Sequence, residues 1–237
     1  MFHLIGLGLN QKSISLEALQ IIKKCKKVFL EEYTVKFPYT KKTLEKIIKK
    51  KIILIKREEA ESLTFLSQAK KEDVALLVYG SPLSATTHIT IIDECKKQKI
   101  PHEISYNAGI FDAIAETGLQ FYKFGKIASM PRWQKNYEPD SFMQILLDNK
   151  KTHAHSLLLI DPHFPFREAL TQFEKICKKN NLPIEKIIVC SKLGTKQAKI
   201  FYRTIDALKS KKINEPFCFI IPSKLHFFEE QYLKYSI

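Results

Sequence analysis

The sequence predicts an α/β protein built as two α/β domains, each with a mostly parallel sheet covered by helices. Short apolar runs alternate with amphipathic segments from one end of the chain to the other, as in β-α-β folds. Those runs are apolar at successive positions rather than at every second one, which marks strands buried on both faces, as parallel strands are. Glycine is also scarce. The chain has seven in 237 residues, where ordinary usage of about 7% would give roughly sixteen. Residues this rare should sit where backbone needs φ > 0 or a close approach with no Cβ between. Gly6, Gly8, Gly80 and Gly194 each follow an apolar run. Open α/β sheets bind ligands at the carboxyl ends of their strands, so the glycines point to a small-molecule site made of strand-end loops.

Taken in order, Phe2 to Leu7 is the first strand, and Ser15 is placed to cap a helix from Leu16 to about Lys27, with lysines at its end. Val28 to Tyr33 follows as a strand, Thr43 to Lys50 as a helix and Ile52 to Ile55 as a short strand. Glu59 to Lys70 reads as one helix. Val74 to Tyr79 is the most apolar strand of this half and runs into Gly80-Ser81-Pro82. A helix from about Thr86 to Lys97 and a strand from His102 to Ser105 complete a first domain of residues 1–107.

The second domain, residues 108–237, opens with a short helix at Ile110 to Glu116 and an irregular stretch through Pro139. Helix Ser141 to Asn149, strand Ser156 to Ile160, helix Arg167 to Lys179 and strand Lys186 to Cys190 come next. The expected close is helix Ala198 to Leu208, strand Phe217 to Ile221 and helix Lys224 to Tyr235. A cofactor cleft is expected between the two domains.

Lys plus Arg exceeds Asp plus Glu by 39 to 25, a formal charge of +14. Such an excess admits nucleic acid, anionic membrane or an acidic protein as partner. Only four of the cations are arginines (57, 132, 167 and 203), and arginine is the residue suited to bidentate phosphate and guanine contacts. The lysine pairs are spread over the whole chain, mostly late in predicted helices, where they complement the helix dipole. A nucleic-acid face is therefore not expected. No apolar run reaches the 18 or more residues that a membrane span needs. Five scattered cysteines without a CxxC pair read as small hydrophobes in a reducing cytoplasm, and no metal site is expected. The N-terminus starts directly as a strand without a basic segment, so no leader is expected.

Gly6-Leu7-Gly8 begins like a dinucleotide fingerprint but lacks the third glycine, since Gln11 stands there. No GxxxxGK[ST] phosphate loop occurs. Tyr79-Gly80-Ser81-Pro82-Leu83-Ser84-Ala85-Thr86-Thr87-His88 is more specific. A buried strand meets Gly-Ser-Pro, which cannot continue it, and small residues then open a helix, leaving backbone groups and room for a flat ligand. His88 reads first as a locally packed helix residue.

This turn, with the Ile5-to-Leu9 IGLGL segment, Asn107-Ala108-Gly109-Ile110, the run Gly118-Leu119-Gln120-Phe121-Tyr122-Lys123-Phe124-Gly125-Lys126, Pro139-Asp140-Ser141-Phe142 and Lys224-Leu225-His226, resembles the diphthine synthases. These are the methyltransferases of the diphthamide pathway, within the tetrapyrrole methylase-like (class III) superfamily. The resemblance runs from the first strand to the last helix. It implies a cytoplasmic homodimer of two-domain subunits that binds S-adenosylmethionine between the domains. Carried over by position, the implied cofactor contacts are Leu9 from the first turn, Ser81 and Ser84 from the Gly80 turn, and Gly109 and Ile110 from the domain junction. Ile160, Leu193 and Phe217 follow from strand ends of the second domain. The chain departs from the family at Ser81, where an acid is usual, at Ser84, where a bulky apolar residue is common, and after Asp161, where Pro162 to Pro165 replaces a longer insertion.

By the same resemblance, the acceptor is the amino group of 2-(3-amino-3-carboxypropyl)histidine on translation elongation factor 2, methylated repeatedly to give diphthine. Methyl transfer from a sulfonium needs in-line positioning more than acid chemistry, so the absence of a triad is no argument against an enzyme. Tyr122, Trp133 and Tyr137 are candidates for a cation–π surface toward the growing ammonium. His88, His163 and His226 are candidate proton acceptors, and no catalytic base is singled out. The competing expectations are a class III methyltransferase acting on a tetrapyrrole or ribosomal RNA, or a non-enzymatic basic RNA-binding module.

Overall fold

Residues 1–235 are described by the structure, a computed structural model. Strands β1 (Phe2–Gly6), β2 (Lys27–Glu31), β3 (Ile53–Ile55), β4 (Val74–Val78) and β5 (His102–Ser105) form the first sheet in the order β3-β2-β4-β1-β5. Every pairing in it is parallel. All residues of β1 and β4, two of the three inner strands, are buried. Because side chains alternate along a strand, the continuous apolar runs feed two cores at once. Phe2, Leu4, Val74, Leu76 and Val78 pack on one face with residues of α3 (Arg57–Ser62), α4 (Leu66–Ala69) and α5 (Ile89–Lys97). Ile5, Val28, Leu30, Ala75 and Leu77 pack on the other with α1 (Leu16–Lys24) and α2 (Lys41–Ile48).

Local chemistry sets the helix ends. The Ser15 hydroxyl accepts from Ala18 N at the start of α1, and Thr40 does the same from Thr43 N for α2. The single helix expected over Glu59 to Lys70 is instead α3 and α4. Leu63 takes a left-handed conformation (φ 57°) between them, and the Ser62 hydroxyl donates back to the Glu59 carbonyl. Serine competing for backbone in this way weakens and bends helices, and the left-handed Leu63 ends α3.

The chain divides into two compact units, Met1–Ala113 and Ile114–Ile237, with the four-residue α6 (Ile110–Ala113) closing the first. The second unit holds β6 (Ala128–Met130), β7 (Ser156–Ile160), β8 (Ile187–Ser191), β9 (Lys199–Arg203) and β10 (Phe217–Ile221) in the order β6-β7-β10-β8-β9. Only β6 and β7 pair in parallel; β10 runs antiparallel to β7 and β8, and β8 and β9 form an antiparallel hairpin. This sheet is thus mixed, while the first is parallel throughout. Helices α7 (Phe142–Lys151), α8 (Phe166–Lys179) and α9 (Ile205–Lys209) pack on it through Leu146, Leu170, Phe173, Ile176 and Leu208, against Leu158, Val189, Phe201 and Phe219. The last helix is α10 (Phe227–Leu233).

Two expectations fail here. The helix expected over Ala198 to Leu208 is the strand β9 followed by α9, which Thr204 caps by accepting from Ala207 N. Its first half, Lys199-Ile200-Phe201-Tyr202-Arg203, is β-branched and aromatic, buries Phe201 at its centre, and is held by pairing to β8. The three-residue β6, too short to show a period, was not expected at all.

Candidate functional site

Two strand ends of the first unit meet through their glycines. Gly8 N donates to Gly80 O (3.2 Å) and Gly80 N donates to Gly8 O (3.0 Å). Both residues have positive φ, 69° and 68°, a conformation that L side chains take only with strain. Gly6 has no positive φ and is required for space: a Cβ there would lie 2.7 Å from Gly80 O and 2.8 Å from Pro82 Cδ. A Cβ on Gly109 would come within 3.2 Å of Ser81 Cβ. Around this contact, Asn107 Nδ2 donates to Gly6 O and Ser13 O, and the Tyr79 hydroxyl donates to Leu9 O. Gly109 N donates to the Asp112 carboxylate at 2.7 Å. The β1 and β4 loops are therefore tied backbone to backbone, and the β5 loop is tied to the β1 end through the Asn107 side chain. The structure brings Leu9, Ser81 and Gly109 to one place, with Ile110 beginning α6 beside them.

Ser84 belongs to the same turn, its N–H donating to Ser81 O at 3.3 Å. The hydroxyls of Ser81 and Ser84 are half-buried and make no hydrogen bond among the described residues. The turn is pinned from beneath. His88 is 1% exposed, and its Nδ1–H donates to Pro82 O (3.2 Å) while Nε2 faces the Tyr33 hydroxyl at 3.5 Å. Burial holds its pKa below the ordinary value, so the ring is neutral at pH 7 and acts as a buried pin.

Ile160, Leu193 and Phe217 gather at one end of the second unit's sheet. Ile160 ends β7, and Leu193 follows the end of β8 and is buried. Phe217 begins β10, but β10 runs backwards against its neighbours, so Phe217 pairs with Ser191 and Cys218 with Leu159. The start of β10 thus lies with the carboxyl ends of β7 and β8. Ile160 and Phe217 both pack on the core of this unit, Phe217 edge-on to Phe166 at 5.5 Å.

The other candidates divide. Tyr122 and Tyr137 are largely exposed, whereas Trp133 is partly buried on the core and donates from Nε1 to Pro139 O, with Lys175 Nζ 4.8 Å from its ring. His163 is exposed. His226 caps α10 through its ring nitrogen.

Sequence reasoning missed Glu229, a buried charge with four partners among the described residues. It is fully buried and meets Lys123 Nζ at 2.6 Å and His155 Nε2 at 3.2 Å, and it accepts from Gln120 N and His226 N. Burial alone would raise its pKa; the donors at His226, Lys123, Gln120 and His155 outweigh that and lower it to about 2. His155 accepts at Nδ1 from Ser223 N, so its Nε2 carries the proton toward Glu229 and the ring is neutral. The segment Gly118 to Lys126 and the segment Lys224 to His226 thus meet at a structural clasp. A Cβ on Gly118 would strike the Tyr232 ring, and one on Gly125 would strike Asn149. The signal was legible in part, because Glu229 stands three residues after His226, the spacing of a capping box.

Among the described residues no helix is long and apolar enough to cross a membrane. The family model for tetrapyrrole (corrin/porphyrin) methylases matches residues 1–209. A diphthine synthase of Methanococcus maripaludis is 35% identical over 255 residues, which cover 99% of this chain and 98% of that protein. A diphthine methyl ester synthase of Schizosaccharomyces pombe is 42% identical over 164 residues, 68% of this chain. The match spans 58% of the length of that yeast relative, and 55% of its Saccharomyces cerevisiae counterpart. A crystal structure of diphthine synthase superposes with a TM-score of 0.87 at 26% identity, covering 99% of this chain and 95% of the other. With the family model matching residues 1–209 and 35% identity to a diphthine synthase over nearly the whole chain, the protein belongs to the tetrapyrrole methylase family and, within it, to the diphthine synthases.

Proposed function

We propose that the chain is an S-adenosylmethionine-dependent methyltransferase of diphthamide biosynthesis, repeatedly methylating the amino group of 2-(3-amino-3-carboxypropyl)histidine on translation elongation factor 2. The observation that carries the reading is full-length similarity to diphthine synthases, combined with a first-unit turn whose glycines let the loops after β1, β4 and β5 pack closely against one another. Leu9, Ser81, Ser84, Gly109 and Ile110 would hold the cofactor from the first unit, and Ile160, Leu193 and Phe217 from strand ends of the second. The residues present fit such a group: two half-buried hydroxyls without a partner among the described residues, a buried leucine and a glycine-lined turn suit a polar nucleoside with a flat base.

When bound, S-adenosylmethionine supplies an electrophilic methyl group and a neutral sulfide leaving group. The work left to the chain is orientation, which in well-aligned systems is worth about 7–11 kcal/mol of barrier. Tying the β1, β4 and β5 loops together fixes the turn before any ligand arrives, so little ordering entropy remains to be spent on binding. His88 holds the turn's carbonyl rather than moving a proton, since its Nδ1–H is already committed to Pro82 O. We further propose a cytoplasmic homodimer, checked by the mass in solution from light scattering.

The test is incubation with labelled S-adenosylmethionine and elongation factor 2 carrying the aminocarboxypropyl-histidine. Label on that histidine is the expected result. Label entering a corrin precursor or ribosomal RNA instead would favour another substrate for the same fold. A second product has support as well. The yeast relatives of 39–43% identity are diphthine methyl ester synthases, so the chain is also a candidate to esterify the carboxylate. Mild alkali separates the two products, because an ester methyl is released and an N-methyl is retained.

A further inference from the structure

A cavity of about 410 Å³ opens in the second unit at the amino end of β7 and the carboxyl end of β10, where Ser156 and Ile221 reach its lining. It lies at the opposite end of the sheet from Ile160. The four residue steps from Ser156 to Ile160, at about 3.3 Å each, separate the two by roughly 13 Å. The volume falls within the range of small-molecule sites, about 300–1,000 Å³.

Its lining has two characters. Leu146, Leu182 and Ile221 make an apolar floor, and Tyr202 adds an aromatic wall. The rim carries three lysines, Lys150, Lys186 and Lys224, against the single carboxylate Glu185. Some lysines of this unit are paired with carboxylates: Lys151 with Asp148, Lys178 with Glu174, Lys179 with Asp140, and Lys209 with Asp206. The three rim lysines have no ion pair among the described residues. Lys186 instead lies over the Tyr202 ring, Nζ 5.3 Å from its centroid, which keeps its charge at the cavity wall. Unneutralised ammonium groups around one concavity raise the local concentration of anions, and an ammonium is a common partner of phosphate. An apolar floor beside an aromatic wall suits a flat, uncharged body joined to that anion.

We propose that this cavity is a second ligand site, separate from the methyl-donor residues, for a small phosphate monoester carrying a flat heterocycle, a nucleoside monophosphate being the simplest. The lysine rim takes the phosphate, and the floor and Tyr202 take the base. This assignment is independent of the methyltransferase reading, because none of its residues is among the proposed cofactor contacts.

The experiment is calorimetric titration of the full chain with AMP, adenosine and inorganic phosphate, each with and without saturating S-adenosylmethionine. AMP is expected to bind at sub-millimolar concentration, at least tenfold more tightly than adenosine or phosphate, whether or not S-adenosylmethionine is present. The triple variant Lys150→Gln, Lys186→Gln, Lys224→Gln is expected to weaken AMP at least tenfold. It should leave the melting temperature and the S-adenosylmethionine titration as they were. No heat from AMP, AMP binding abolished by S-adenosylmethionine, or AMP binding unchanged in the triple variant would each overturn the assignment. A 5′-phosphorylated RNA hexamer binding more tightly than AMP would overturn the small-ligand class. These outcomes are read without any methyl transfer, so they stand apart from the fate of the proposed reaction.

Discussion

Gly6 and Gly80 stand in one turn contact for different physical reasons, and substitution separates them. At Gly80 an added Cβ finds ordinary room, 3.4 Å from Gly109 Cα, but its φ of 68° is left-handed. Alanine there should cost about 1–2 kcal/mol of strain. Valine, whose branched Cβ tolerates that conformation least, should abolish S-adenosylmethionine binding measured by calorimetry while circular dichroism stays native. Retained binding in Gly80→Val would remove this turn from the site. At Gly6 the conflict is with backbone: a Cβ 2.7 Å from Gly80 O cannot be relieved by rotating a side chain. Gly6→Ala should therefore lower the urea midpoint more than Gly80→Ala does, and the reverse order would show that the glycine contact is looser than drawn. Ser81 belongs to the same scale. Its hydroxyl stands where the family usually has an acid, and backbone groups of the turn remain beside it.

At the scale of elements, the clasp around Glu229 joins α10 to the segment before β6 and to the start of β7. A buried carboxylate that loses its partner is costly because the desolvated charge remains. Lys123→Met, which strands Glu229, should destabilise by about 3–5 kcal/mol in urea unfolding. Adding Glu229→Gln should recover part of that loss, since the stranded charge is then gone. A double variant as unstable as the sum of the singles would mean that the two residues do not interact. The clasp also accounts for much of the sequence pattern that distinguished this family. There Gly118 and Gly125 make room for Tyr232 and Asn149, Lys123 pairs with Glu229, and His226 caps α10.

Over the whole molecule, four buried groups respond to acid in one direction. His3, His88 and His155 have pKa values held down chiefly by burial. The stability they contribute is complete above the ordinary value of 6.5 and is lost as pH falls through their lower folded values. Glu229, lowered from 4.5 to about 2, contributes stability above pH 4.5 that is lost toward pH 2. Glu31 opposes them. Burial raises its pKa despite hydrogen bonds from Thr34, so its share improves on acidification. With four groups against one, the melting temperature should decline from pH 7 to pH 5 and fall further below pH 4.5. Scanning calorimetry across that range checks this, and a flat profile would refute it. His155→Gln should flatten the upper part of the decline.

Much of the first unit was legible because its evidence is local. Apolar runs such as Val74 to Val78 and caps such as Ser15 declare themselves within a few residues, and a glycine shortage marks strand ends without any knowledge of pairing. The sequence also placed Leu9, Ser81, Ser84 and Gly109 on loops after strands and Ile110 at the start of a short helix, where the structure has them. Only the tertiary structure decided that Gly8 and Gly80 bond to each other, that β10 runs antiparallel and so carries Phe217 to the carboxyl ends of β7 and β8, and that Ile200 to Tyr202 is strand rather than helix. It alone revealed Glu229 as a buried ion, and a lysine-rimmed cavity assembled from residues as far apart as 146 and 224. Periodicity and capping act over a few residues, and the chain's own order carries them. Strand direction, ion pairing and concavity depend on which distant segments share a sheet, and that is fixed only when the whole core packs.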